Sequence, residues 1–158
     1  MKNKIRIIFF ILICLIFVSC DPIEIFHNIS FSLDKDLYKK GEYITLKILG
    51  ELDSKLYKDG VLTVKFTNKD GSDILNESFM YFENVNENDL LLKGKNNNSY
   101  EFILSSSIYD NINKDLVFLI PDIGEYKITI HFHADRIKPT MFYCWGQCVE
   151  FLQFTVTE

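Results

Sequence analysis

A chain of 158 residues with 22 acidic against 17 basic side chains carries a formal charge of −5. That length supports one domain with a buried core, and the acidic balance removes the Lys/Arg surface on which binding to nucleic acid depends. Seven glycines and three histidines leave little room for a phosphate-cradling loop or an extended metal site.

At the N-terminus Lys2, Lys4 and Arg6 precede an unbroken apolar run from Ile7 to Val18, the charged region and short apolar region of an export signal. The run falls well short of the roughly 20 residues a spanning helix needs. It also has no polar face, as a core helix would. It ends in Phe17-Val18-Ser19-Cys20, which resembles the lipobox of bacterial lipoproteins, where a small residue precedes a cysteine. The resemblance implies that residues 1–19 are a lipoprotein signal peptide. Cys20 would then become the mature N-terminus and carry a palmitate-type lipid anchor on its sulfur. It also implies a place at the cell membrane or outer membrane, with residues 20–158 in the periplasm or at the cell surface. Phe17 stands where Leu is usual, which leaves ordinary signal cleavage as the alternative. Removal of Lys2, Lys4 and Arg6 makes the mature chain more acidic, so acyl chains rather than charge must hold it at a membrane.

From Ile25 onward the dominant signal has period two. Ile25, His27, Ile29, Phe31 and Leu33 alternate with polar residues apart from Phe26; Ile44, Leu46 and Ile48 follow, then Leu62, Val64 and Phe66. These read as half-buried strands. Asn68-Lys69-Asp70-Gly71 supplies turn chemistry, and Leu75, Phe79 and Tyr81 continue on an expected return strand. Residues 83–98 read as an exposed loop with a short strand at Leu90–Leu92. Strands follow at Tyr100–Leu104 and Leu116–Ile120. The longest alternation sets Tyr126, Ile128, Ile130 and Phe132 against Lys127, Thr129, His131 and His133, and Leu152, Phe154 and Val156 close the chain. Seven to nine strands, turn signals between them, almost no helical periodicity and no repeat or linker together predict one all-β domain, a β-sandwich.

Asp122-Ile123-Gly124-Glu125-Tyr126 resembles the D-x-G-x-Y element of immunoglobulin-like domains, whose tyrosine hydroxyl bonds back to the chain at a corner. Tyr38-Lys39-Lys40-Gly41-Glu42 resembles the Y-x-x-G-[DE] turn of bacterial immunoglobulin-like modules. Together they imply an immunoglobulin-like sandwich over residues 20–158. Ile128 occupies the place of the core cysteine of antibody-type domains, so packing alone must hold the two sheets.

With Cys14 lost in the signal and Cys20 acylated, Cys144 and Cys148 remain, in the segment CWGQC. Export favours a disulfide between them, and a three-residue turn at Trp145-Gly146-Gln147 would bring them face to face. Two alternatives stay open. Cys144 and Cys148 can be a redox pair or, joined by His131 and His133, a tetrahedral zinc or copper site. Phe142, Tyr143 and Trp145 lie on the connection between the last two strands, where immunoglobulin-like folds gather binding loops. They are the candidate binding residues, with inward packing as the competing expectation. No G-x-S-x-G, H-E-x-x-H or phosphate loop occurs, and no cofactor is called for. The sequence therefore points to a non-catalytic, lipid-anchored binding domain with a protein or envelope-component partner and no nucleic acid, and alternatively to a periplasmic metal-binding lipoprotein.

Overall fold

A computed structural model describes residues 23–74, 79–82, 88–119, 122–139 and 145–158. Its strands are β1 (Ile23–Ile25), β2 (Ile29–Leu33), β3 (Leu37–Lys39), β4 (Tyr43–Gly50), β5 (Gly60–Asn68), β6 (Met80–Phe82), β7 (Leu90–Asn96), β8 (Ser99–Leu104), β9 (Ile112–Leu119), β10 (Gly124–Asp135) and β11 (Trp145–Thr157). A short 3-10 turn at Ser106–Asn111 precedes β9. The described residues thus hold eleven strands against the seven to nine expected; three of them, β1, β3 and β6, have only three residues.

Two sheets result. One runs β1-β11-β10-β5-β8-β7, with β3 also pairing with β11, and the other runs β2-β4-β9-β6. The expected all-β sandwich is the observed fold. Alternation explains its core. Ile44, Leu46 and Ile48 are at most 1% exposed, as are Leu62, Val64 and Phe66, and Ile128, Ile130 and Phe132. Facing residues meet as ring pairs: Phe66 stacks on Phe79 at 4.2 Å and packs edge-on to Phe118 at 4.9 Å, while Tyr126 stacks on Phe154 at 5.4 Å. Such pairs add roughly 0.5–1.5 kcal/mol each beyond the area they bury.

The single strand expected over Ile25–Leu33 is two strands in different sheets. β1 runs parallel to β11, whereas β2 is antiparallel to β4 in the opposite sheet. Phe26 and Ile29, three residues apart, are both buried, so the period breaks at His27-Asn28 and the chain steps across. That step lies close against Gly50, where an added Cβ would sit 2.1 Å from the Asn28 carbonyl oxygen.

The turn after β5 forms as expected, with Gly71 at φ 87° and its N–H donating to the Asn68 carbonyl. The chain turns back as far as a Thr67–Asp73 bridge, but the expected return strand, β6, pairs with β9 in the other sheet; Leu75 lies outside the described residues. Much of the expected loop 83–98 is the hairpin β7–β8, which turns at Asn97 with φ 51°. Asn98 is only 4% exposed, and its carbonyl accepts the Phe66 N–H at 2.9 Å. A tight two-residue turn packed against β5 explains why a polar run is not a free loop.

Both short motifs close as their resemblance implied. The Tyr126 hydroxyl donates to the Asp122 carbonyl at 3.2 Å, and a Cβ on Gly124 would sit 3.2 Å from the Tyr126 ring. At the other motif Gly41 has φ 83°, and the Glu42 carboxylate accepts the Lys39 N–H at 2.8 Å and Lys35 Nζ at 2.7 Å. The Tyr38 hydroxyl donates to Asp34 at 2.7 Å; the same oxygen accepts the Thr45 N–H. Burial and the Asp34 carboxylate push the Tyr38 phenol far above its usual range.

Candidate binding face

β10 and β11 pair in unbroken register from Gly124↔Val156 to Asp135↔Trp145. The first consequence concerns CWGQC. Trp145, Gly146 and Gln147 lie opposite Asp135, Ala134 and His133, so the three residues expected as a turn are strand. Gly146 is needed for space rather than for a turn: a Cβ there would sit 2.3 Å from the Phe26 ring. Cys148 carries a free thiol where the sequence led to a disulfide with Cys144. Cys144 lies outside the described residues, as do Phe142, Tyr143 and the proposed anchor Cys20.

Pleating sends Cys148 inward, opposite Phe132. Desolvation, and after it the nearby Glu150 charge, push its thiol up to about 11. His131 and His133 point to the other side, on the outer face of the sheet, because their neighbours Ile130, Phe132 and Ala134 fill the inner one. The two rings are 5.7 Å apart, His131 Nε2 is 3.0 Å from Gln147 Oε1, and His133 meets Trp145 edge-on at 6.3 Å. The structure thus brings the histidines together with Trp145 and separates them from Cys148. Among the described residues no three His, Cys, Asp or Glu side chains converge as a metal site would require.

What surrounds the histidines is a face the sequence only half disclosed. One row of directly paired positions crosses the sheet from Leu91 through Ile103, Val61, His133 and Gln147 to Ile25. Beside it Val149 pairs with His131 and Phe151 with Thr129. Phe151 is 56% exposed and Val149 47%, and Lys127 lies over the Phe151 ring at 4.4 Å. The signal for them was present in the chain: Val149 and Phe151 occupy the phase of β11 opposite to buried Phe154 and Val156, so both phases of that strand are apolar.

A second concavity, an open cleft of about 580 Å³, lies at the end of the sandwich where β1 begins. Glu24, Glu51, Asp53 and Asp110 line it together with Phe26 and Tyr57. Arg136 bonds to one of its walls, its Nη2 held 2.8 Å from Glu24 Oε2, and the Tyr57 hydroxyl donates to the same carboxylate. Burial and the Glu24 bond raise the Tyr57 pKa; its hydroxyl and Glu24 together hold the Arg136 guanidinium still more firmly protonated. These groups are 33 to 112 positions apart in the chain, and no local pattern marks them.

The pairing of two sheets around an aromatic and aliphatic core places the chain among β-sandwich domains. Solved structures resemble it over most of its length: a cohesin module from a family 33 glycoside hydrolase of Clostridium perfringens, with a TM-score of 0.53, 11% identity, and coverage of 83% of this chain and 96% of that one; the reelin-N domain of F-spondin, at 0.52, 10%, 91% and 96%; and CaCohA2 from Clostridium acetobutylicum, at 0.51, 9%, 82% and 91%. At these identities the likeness is one of fold. No protein-family model and no curated protein matches the sequence.

Proposed function

We propose that the protein is a lipid-anchored component of the cell envelope, tethered through Cys20, whose sandwich is a non-catalytic binding module for another protein or an envelope component. The observation that carries the binding half of this reading is the outer face of β10 and β11. Phe151 and Val149 stand largely in solvent there, next to a histidine pair and Trp145. Exposed aromatic and aliphatic side chains on a rigid sheet offer contact area at small entropic cost. The anchoring half rests on the Ser19-Cys20 junction after the apolar run. The candidate residues Phe142 and Tyr143, which precede Cys144 and Trp145 in the sequence, belong to the same proposal. A zinc or copper site at His131, His133, Cys144 and Cys148 is the weaker reading, because Cys148 faces the opposite side of the sheet from both histidines.

Two measurements test the two halves. Replacement Cys20→Ser should move the chain from the membrane to the soluble fraction, with loss of the acyl mass. A photocrosslinking residue at position 151 should capture a discrete partner in intact cells and one at Lys47, on the other sheet, should not. Phe151→Ala should cut that crosslink at least several-fold while shifting stability by no more than about 0.5 kcal/mol, as expected for an exposed side chain. Equal capture from both positions would remove the face from consideration.

A further inference from the structure

β1 pairs in parallel with the start of β11, so Ile23 lies level with Trp145, and Trp145 in turn with Asp135 at the end of β10. The chain preceding Ile23 therefore arrives at this end of the sandwich. Only Asp21 and Pro22 separate Ile23 from Cys20, a reach of about 10 Å even when fully extended. A domain on so short a tether has no stalk, and its Ile23 end must lie against whatever holds Cys20.

That end carries an apolar cluster which the core does not use. Tyr57 and Arg136 form an isolated bridge beyond the last rung of β10, and the Ile137 N–H donates to the Leu56 carbonyl at 2.9 Å. Leu56 and Ile137 thus lie two positions further toward this end than the Trp145 level, 42% and 46% exposed. Ile25, at 61%, lines the same cleft as Leu56. Leu56 and Ile137 meet through that bond and Ile25 lines the cleft with Leu56, so exposed aliphatic side chains from three segments lie at the end where the tether leaves.

We propose that Ile25, Leu56 and Ile137 form a foot that rests in the surface of the lipid bilayer beside the anchor. The proposal rests on the anchored reading above and adds a second membrane contact to it. One acyl-bearing cysteine and a small apolar surface are the kind of paired signal that stable anchoring requires. Glu51, Asp53 and Asp110 border the cluster, so the surface it suits is zwitterionic rather than anionic. The foot also sets orientation. The turns at Asn68–Ser72 and Lys39–Glu42 point away from the membrane, and the face of Val149 and Phe151 stands upright and accessible to a partner in the surrounding space.

Trp145, the chain's single tryptophan, is a ready probe because it lies level with Ile23. The full acylated chain is placed in phosphatidylcholine vesicles whose acyl chains are brominated near the headgroup. Trp145 emission should fall by about half relative to unbrominated vesicles, since interfacial apolar surface sits roughly 5–10 Å into the headgroup and acyl boundary. The double variant Leu56→Asp, Ile137→Asp should stay vesicle-bound through Cys20 and lose most of that quenching; Leu56→Ser, Ile137→Ser serves if the first pair disturbs the circular dichroism spectrum. An unquenched wild-type chain, or equal quenching in variant and wild type, overturns the foot. So does a dimer in detergent that only the double variant dissociates, which would assign the cluster to a second copy. Mass spectrometry of Cys20 is read separately. An unacylated cysteine overturns the anchor and the foot with it, whereas an acylated one with no quenching overturns the foot alone.

Discussion

The two ends of the sandwich are built on different principles. At the end opposite the start of β1 the two corner motifs are closed by near neighbours: the Tyr126 hydroxyl bonds to Asp122 four residues earlier, and Glu42 bonds to Lys39 three residues earlier. At the end where β1 begins, the side-chain bonds that join the segments reach across long stretches of chain. Glu24, Tyr57 and Arg136 meet from three distant segments, the Tyr109 hydroxyl of the 3-10 turn donates to the Lys58 carbonyl, and Asp59 accepts both the N–H and the hydroxyl of Ser106. Local closure leaves a surface with little further to offer. Closure from distant segments leaves an acidic cleft with exposed aliphatics beside it, which is where binding surfaces arise.

Substitution of one glycine at each end would break or sharpen this contrast. At the β1 end Gly146→Ala drives a methyl into the Phe26 ring, which is itself fixed against Tyr57 at 5.1 Å and Phe132 at 5.8 Å. Overpacking of this kind costs about 1–3 kcal/mol, and chemical denaturation should show it as a lower midpoint with an unchanged slope. At the far end Gly41→Ala meets no atom within 4 Å and suffers only from φ 83°, a cost of about 1 kcal/mol. Equal losses would mean that the β1 end yields as easily as a surface turn.

A smaller effect tests the local closure itself. Tyr126→Phe keeps the ring that stacks on Phe154 and removes only the hydroxyl bonded to Asp122. The expected loss is about 0.5–1.5 kcal/mol, measurable as a shift in unfolding midpoint. No loss would show that Gly124 and the ring packing hold the corner unaided.

The same division explains what the chain disclosed in advance. The D-x-G-x-Y and Y-x-x-G-[DE] motifs were legible because every bond they make is within a few residues. β4, β5 and β10 were legible because one phase of each is apolar and the other polar. β1 and β2 were not told apart, since Ile25, Phe26 and Ile29 make both phases apolar and only the two-sheet topology decides which residue turns inward. CWGQC misled for a related reason: two cysteines around a glycine suggest a turn, but the tertiary pairing of Trp145–Gln147 with β10 on one side and β1 on the other holds them straight. The meeting of Glu24, Tyr57 and Arg136 had no signal at all.

Cys148 offers the finest test of that straightened segment. Its thiol lies inward beside Phe132, pushed up to about 11 by desolvation and by Glu150. A thiol whose pKa is raised by folding binds its proton more tightly in the native state. Its contribution to stability is therefore complete below the unfolded value of about 9 and is lost as the pH rises through 11. Stability should hold level near neutrality and decline across that alkaline window, and Cys148→Ala should flatten the decline while lowering the neutral plateau slightly. In the native chain at pH 8 this thiol should resist alkylation until the protein unfolds, because attack requires both exposure and the thiolate. Rapid native alkylation at Cys148, located by peptide mass, would mean that the start of β11 opens readily. The inward register that parts this cysteine from His131 and His133 would then be only one of two arrangements the segment adopts.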